Sequence, residues 1–190
     1  MNSKGWFKVA GVQDGTRTLE EQMQGIGRAL REARGKTVLD AGCAEGFIAI
    51  EFAKAGAALV DAVDNNENFV RSARRYGKRL VKSVVHARFC DLNVGLPEGC
   101  AQSYEIVLAL AILHKALDVQ AMTRLLAKAC SGLMVVRLPR KSYGFIPAKH
   151  GNSSCDLNEE MPALGFRLES VEQGPRDELV QYWRALGGRG

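Results

Sequence analysis

Val38-Leu39-Asp40-Ala41-Gly42-Cys43-Ala44-Glu45-Gly46-Phe47 is the stretch that decides the fold of this chain. An apolar run ends in an acid, a turn of small residues follows, and Phe47 opens an apolar helix. Val63-Asp64 closes a second apolar run. A strand, a glycine-cornered turn, a helix and a second strand ending in an acid form a nucleoside-binding half-fold. Gly42 is expected in the turn and Gly46 where the helix starts against the strand, because a ligand approaches backbone closely only where side chains are absent. A tight turn without a ligand remains the alternative at this point.

Outward from that stretch, strands and helices alternate. The first strand is Thr37 to Ala41, followed by a helix from Phe47 to Ala55 with Gly56 as its stop. Leu59 to Asp64 is the second strand, and Asn66 caps a helix running to about Lys82. Val84 to Cys90 is the third strand, ending at Asp91. Tyr104 to Leu110 is the fourth and most apolar, Val119 to Ala129 a helix capped by Asp118, and Leu133 to Leu138 the fifth strand. Upstream, Thr18-Leu19-Glu20-Glu21 reads as a capping box. Leu19, Met23, Ile26, Leu30 and Ala33 then share one helical face as far as Gly35. Downstream, Pro139 to Ser154 has no clean period. A short helix near Leu157 to Leu164 leads to strands Phe166 to Glu172 and Leu179 to Ala185, joined by Gly174-Pro175. That link is too short for a helix, so the two strands pair antiparallel.

This pattern predicts an α/β fold: a Rossmann-like, doubly wound, seven-stranded, mostly parallel sheet with the last strand antiparallel and helices on both faces. Residues 1–190 are expected to form one domain. Its parts are an N-terminal lid segment and helix (1–35), a cofactor-binding core (36–138), a candidate acceptor loop (139–156), and a C-terminal helix and hairpin (157–186). In such sheets a ligand sits at the carboxyl ends of the strands. The loops after Asp40, Asp64, Asp91 and Leu110 therefore surround one cleft.

Composition narrows the class. Hydrophobic residues make up 46% and charged residues 25%, ordinary for a globular protein. No apolar run approaches the roughly 20 residues of a membrane span, and the N-terminus lacks the apolar core of a secretory signal. Five scattered cysteines, none at CxxC spacing, indicate neither a disulfide framework nor a zinc site. The expected compartment is the reducing cytoplasm. A net charge of +5 permits an anionic partner without demanding one. Arg71, Arg74, Arg75, Lys78, Arg79 and Lys82 share one face of the helix after Asp64. That face is either a solvated surface or a contact for a phosphate backbone, and no aromatic residues interleave on it for base stacking.

Two acids carry the chemistry. Asp64, at a strand end, is placed to accept from two vicinal ribose hydroxyls, with a helix cap or surface acid as the alternative. Asp91 ends the third strand in the same way and is placed to accept from an adenine amino group, or to close an Asx turn.

At this point a resemblance appears. Val38 to Gly46 resembles the glycine motif of class I S-adenosylmethionine-dependent methyltransferases. Val63-Asp64 falls at the family's second motif, and Phe89-Cys90-Asp91-Leu92 resembles the adenine-side motif. Tyr104 to Leu110 followed by Ile112-Leu113-His114 resembles the fourth strand of small methyltransferase domains, and Leu164-Gly165-Phe166 the step into the sixth. The likeness runs from about residue 36 to 185. Two departures stand out: Ala44 replaces a frequent middle glycine, and Glu45 is large enough to be expected to point out of the turn. No Asn/Asp-Pro-Pro-Tyr/Phe motif follows the fourth strand, which argues against amino methylation of bases.

The resemblance implies S-adenosyl-L-methionine as cofactor and S-adenosyl-L-homocysteine as product. Asp40 and Gly42 would contact the methionine end, with Cys43 and Ala44 beside it. Asp64 would bind the ribose, Asn65 flank the adenine, Asp91 and Leu92 hold the adenine, and Leu110 line the sulfonium. His114 is either a general base or a residue orienting the loop. Arg137 binds either an anionic substrate or a strand-edge carboxylate. Tyr143 belongs to a candidate acceptor loop with Phe145 and Lys149. Trp6 and Phe7 form a lid or pack against the sheet. The expected activity is methyl transfer to an acceptor, most readily a small molecule. RNA methylation, a nicotinamide-dependent oxidoreductase and a non-catalytic cofactor-binding partner subunit are the alternatives. The oxidoreductase would need G-x-G-x-x-G spacing, which Gly42 to Gly46 does not give.

Overall fold

The computed structural model describes residues 5–82, 84–142, 144–147 and 153–187. A parallel ribbon of β1 (Gly5–Lys8) and β2 (Gly15–Thr18) comes first, then two short helices, α1 (Leu19–Gln22) and α2 (Gly27–Glu32). The alternating core follows as β3 (Thr37–Ala41), α3 (Phe47–Lys54), β4 (Leu59–Asp64), α4 (Glu67–Val81), β5 (Val85–Phe89), β6 (Tyr104–Leu110), α5 (Val119–Ala129) and β7 (Cys130–Pro139). After it come a small pair, β8 (Phe145–Ile146) and β9 (Cys155–Asp156), then α6 (Leu157–Ala163), β10 (Phe166–Gln173) and β11 (Glu178–Ala185).

Seven strands form the main sheet in the order β10-β11-β7-β6-β3-β4-β5. The pairs β3–β4, β3–β6, β4–β5 and β6–β7 are parallel, whereas β11 runs antiparallel to both β7 and β10. The chain enters at the centre with β3, moves outward through β4 to β5, then crosses back to β6. Strand order therefore reverses between β3 and β6, which is where an open α/β sheet holds its ligand.

The central strands are apolar on both faces because helices cover both. Side chains alternate: Val38, Val60, Ile106 and Leu108 face the core shared with α2, α3 and α4. Leu39, Ala41, Val63, Val107 and Ala109 face the one shared with α5 and α6. Caps fix the helix starts. Asn66 Oδ1 accepts from Asn68 N, and Asp118 Oδ1 from Ala121 N at 2.9 Å. No helix of the described residues is long and apolar enough to cross a membrane.

The N-terminal third departs from expectation. The single helix expected over Leu19 to Ala33 is two, broken at Gly25, which has φ +75°. A Cβ there would sit 2.6 Å from Gln173 O, and Gly25 O accepts the Tyr182 hydroxyl at 2.6 Å. Close docking on the β10–β11 hairpin overrides the apolar periodicity. The capping box is half present: Thr18 Oγ1 accepts from Glu21 N at 3.1 Å, but the Glu21 carboxylate pairs with Arg176 at 2.8 Å.

Candidate functional site

One cavity of about 290 Å³ opens at the carboxyl ends of β3, β4, β6 and β7. That is at the lower edge of the roughly 300–1,000 Å³ of small-molecule sites. Of the residues expected at a cofactor, Asp40, Gly42, Cys43, Ala44, Asp64, Asn65, Asp91, Leu92 and Leu110 all line it, as does Arg137.

The turn after β3 is held by backbone bonds. Gly42 N and Cys43 N both donate to Val63 O, at 2.8 and 2.9 Å. Gly42 has φ +77°, and a Cβ on it would lie 2.3 Å from Ile112 Cγ2. Ala44 also adopts a left-handed conformation, φ +48°, and so does Ala111 at φ +59° just beyond β6. Both line the cavity, and strained backbone of this kind persists where the surroundings over-determine it.

Asp64 ties this turn to the next helix. Its Oδ2 accepts from Ala44 N and its Oδ1 from Asn66 N, each at 2.9 Å. Each carboxylate oxygen can accept more than one donor, so both remain open to hydroxyls in the cavity. Asp40 is 2% exposed, and its Oδ2 has no hydrogen-bond partner among the described residues. Burial, then the neighbouring Asp64 charge, push its pKa up to about 7. Asp91 closes an Asx turn, its Oδ1 accepting Asn93 N at 3.0 Å and Nδ2 at 2.8 Å, while the residue still lines the cavity.

Three expectations need correction, and of the two alternatives for Arg137 the carboxylate is the one met. Gly46 does not line the cavity; as N-cap of α3 with φ +77° it faces α4, where a Cβ would meet Ala73 Cβ at 2.8 Å. His114 sits in a 3-10 turn, Leu113–Lys115, and is not among the cavity-lining residues, so nothing places it as a base. Arg137 reaches a carboxylate: its Nε lies 3.2 Å from Glu178 Oε2, off-axis for a hydrogen bond. Its other nitrogens donate to Gln22 O and Oε1, each at 2.8 Å. Glu45 points inward. It is 2% exposed and accepts the backbone N–H groups of Trp6 and Phe7, at 2.6 and 3.4 Å. Tyr143 and Lys149 lie outside the described residues; Phe145 is half exposed on β8 and does not line the cavity.

Glu45 thereby ties the N-terminal ribbon to the turn beside the cavity. Trp6 and Phe7 both line it, and Phe7 packs edge-on against Phe47 at 5.7 Å between centroids. Lys115 Nζ and Arg17 lie 5.4 and 4.8 Å from the Trp6 ring centre. Among the cavity-lining residues that sequence reasoning missed are Gln22, Lys115 and Met122. Gln22 did carry a signal: it interrupts the apolar stripe of Leu19, Met23 and Ile26.

Residues 38–134, just over half of the chain, match the family described as Methyltransferase domain. The chain belongs to this methyltransferase-domain family, with the Rossmann-like fold of S-adenosylmethionine-dependent enzymes. It is 37% identical over 76 residues to a ribosomal protein L11 methyltransferase of Burkholderia thailandensis, covering 40% of this chain and 23% of that protein. It is 30% identical over 104 residues to a ubiquinone biosynthesis O-methyltransferase of Neisseria meningitidis serogroup C, covering 54% and 41%. The chain thus spans well under half the length of these curated relatives. A magnesium protoporphyrin IX methyltransferase of Synechocystis PCC 6803, solved with bound S-adenosylhomocysteine, superposes with TM-score 0.64 at 18% identity, covering 90% of each chain.

The residues present fit S-adenosylmethionine. That molecule carries a sulfonium, an ammonium, two ribose hydroxyls and an adenine amino group, which are cationic or hydrogen-bond donors, besides one carboxylate. The cavity meets them with three strand-end carboxylates, one of which has a buried oxygen still unpaired.

Proposed function

We propose that this chain transfers the methyl group of S-adenosyl-L-methionine to a small-molecule acceptor. The observation that carries this reading is the convergence of Asp40, Asp64 and Asp91 on one cavity at the switch point of the sheet. Asp64 would accept the ribose hydroxyls, with Asn65 flanking the adenine, Asp91 and Leu92 would hold the adenine, and Leu110 would line the sulfonium. Gly42, Cys43 and Ala44 would form the floor under the methionine arm, and Asp40 would face its positive charge.

The bound cofactor supplies a methyl group on a sulfonium, already a good leaving group. What the chain's own residues contribute is positioning and dryness. Asp64 locks the turn and the start of α4 in one geometry. Trp6 and Phe7, held by Glu45, line the cavity and exclude water.

Two observations favour a small acceptor over RNA. Trp6 and Phe7 of the N-terminal ribbon line the cavity, so a large substrate would have to pass them. On α4, three of the arginines, though exposed, have partners within the chain: Arg74 donates to Ala87 O, Arg75 to the Tyr76 hydroxyl, and Arg71 to Asn68. A macromolecular acceptor, as in the name of the ribosomal-protein relative, is therefore the less favoured reading.

The test is calorimetric titration with S-adenosylhomocysteine, followed by a mass-spectrometric screen for methylated products from a metabolite mixture. Micromolar binding and a product that depends on Asp64 are expected. An absence of binding to the unmodified protein would overturn the reading.

A further inference from the structure

Just past Leu110, the strand end set beside the sulfonium above, the cavity is lined by Ile112, Lys115 and Ala116. Lys115 is exposed and Ala116 is buried, so the ammonium stands on the open side. Trp6 lines the same cavity from the N-terminal ribbon, and Lys115 Nζ lies 5.4 Å from the centre of its ring. Arg17 Cζ lies 4.8 Å from that centre. Two cations therefore converge on one half-buried aromatic ring, while Ile112 and Met122 add apolar wall to the cavity.

The cofactor accounts for the acids of this cavity but not for Lys115, since a sulfonium does not attract an ammonium. The other lining cation, Arg137, is buried and already meets Gln22 and Glu178. The face of Trp6 attracts a cation and holds the long lysine side chain at the lip. An acceptor entering there strips water from the ammonium. A neutral acceptor leaves that lost hydration uncompensated, whereas an oxyanion replaces it with a charge-assisted hydrogen bond.

We propose that the methyl acceptor is a small organic acid, its apolar body against Ile112 and Met122 and its carboxylate or phosphate oxyanion on Lys115. The assignment rests on the cofactor reading above and extends it to the second substrate. It needs only one of the three donors of the ammonium. Arg17 strengthens the positive field at the lip. Trp6 and Arg17 belong to the ribbon and Lys115 to the turn after β6, so the acceptor site is complete only with the ribbon in place.

The test titrates the protein saturated with S-adenosylhomocysteine with four probes of similar shape: benzoate, phenyl phosphate, benzamide and benzylammonium. Trp6 fluorescence reads binding at this wall, since Trp183 is buried in β11. Benzoate or phenyl phosphate is expected to bind about fivefold more tightly than benzamide, and benzylammonium more weakly still. The tighter of the two anions tells a carboxylate site from a phosphate site. Lys115→Met should erase the preference, Lys115→Arg should keep it, and Lys115→Glu should turn it toward benzylammonium. All three variants should hold S-adenosylhomocysteine within about twofold by calorimetry. Equal affinity for the four probes, binding of none, or an anion preference that survives Lys115→Glu would overturn the proposal. So would a parallel loss of S-adenosylhomocysteine in Lys115→Met. If the unmodified protein does not bind S-adenosylhomocysteine, the cofactor reading fails, and the same titration of the unloaded protein decides whether this wall selects oxyanions.

Discussion

Asp64 Oδ2 accepts the Ala44 backbone N–H at 2.9 Å, so the acid that ends β4 also holds the turn that ends β3. One carboxylate thus shapes the floor of the cavity and offers lone pairs into it. Asp64→Ala removes both roles. Cofactor affinity should fall by about 1.5–3 kcal/mol, the scale of a charged hydrogen bond lost. Calorimetry with S-adenosylhomocysteine measures it, and an unchanged dissociation constant would remove Asp64 from the site.

Gly42 and Ile112 make a second pair. With φ +77° and Ile112 Cγ2 only 2.3 Å from where a Cβ would stand, Gly42→Ala meets both backbone strain and a clash. A loss of about 1–3 kcal/mol in stability is expected. Adding Ile112→Ala should return the steric part and leave the dihedral part. Denaturant midpoints of the two single variants and the double variant separate the contributions, and strict additivity would show that the clash is relieved elsewhere.

The Glu45 carboxylate is the latch of the N-terminal ribbon. Glu45→Ala leaves the Trp6 and Phe7 N–H groups without their acceptor. The ribbon should open more readily, at a local cost of about 1–3 kcal/mol. Hydrogen exchange should quicken across residues 5–18 while the central strands hold their protection. Uniform loss of protection would mean that Glu45 supports the whole fold instead.

Much of this architecture is legible in the sequence because local and tertiary signals agree. The strands β3, β4 and β6 and the helix α5 fall where apolar runs and the Asp118 cap place them. The N-terminal third is not legible, because Gly25 answers to the hairpin it packs on rather than to its neighbours in sequence. The carboxylates of the site stand out because a strand that ends in an acid is a local pattern. Gln22 shows only as a polar break in an apolar stripe, since its carboxamide is fixed by Arg137, which is 115 residues distant in the chain. Glu45 misleads for the same reason: its size suggests an outward side chain, and only the docked ribbon supplies the donors that draw it inward. Asp61 is a further buried acid that no local pattern marks as structural. It accepts the Tyr104 hydroxyl at 2.7 Å, and Arg88 and His86 approach it at 3.7 and 3.8 Å.

Under the proposed function, Asp40 is expected to make stability and binding pull in opposite directions. Its folded-state pKa is raised from 3.8 to about 7, chiefly by burial and then by Asp64. Between those values the folded protein holds a proton that the unfolded chain has released, so this group's contribution to stability falls as pH rises from about 4 to 7 and then levels off. The gap corresponds to a cost on the order of 4 kcal/mol above pH 7 at about 1.4 kcal/mol per unit. Asp40→Asn should therefore be more stable than the unmodified protein at pH 8, with the difference shrinking toward pH 4–5. The same variant should bind S-adenosylhomocysteine more weakly, since the ligand's ammonium favours the carboxylate. That coupling also predicts proton release when S-adenosylhomocysteine binds near pH 6.5, read as a dependence of the binding heat on buffer ionisation enthalpy. Asp40→Asn should abolish the release. Proton uptake, or a release that survives the substitution, would place the titrating group elsewhere.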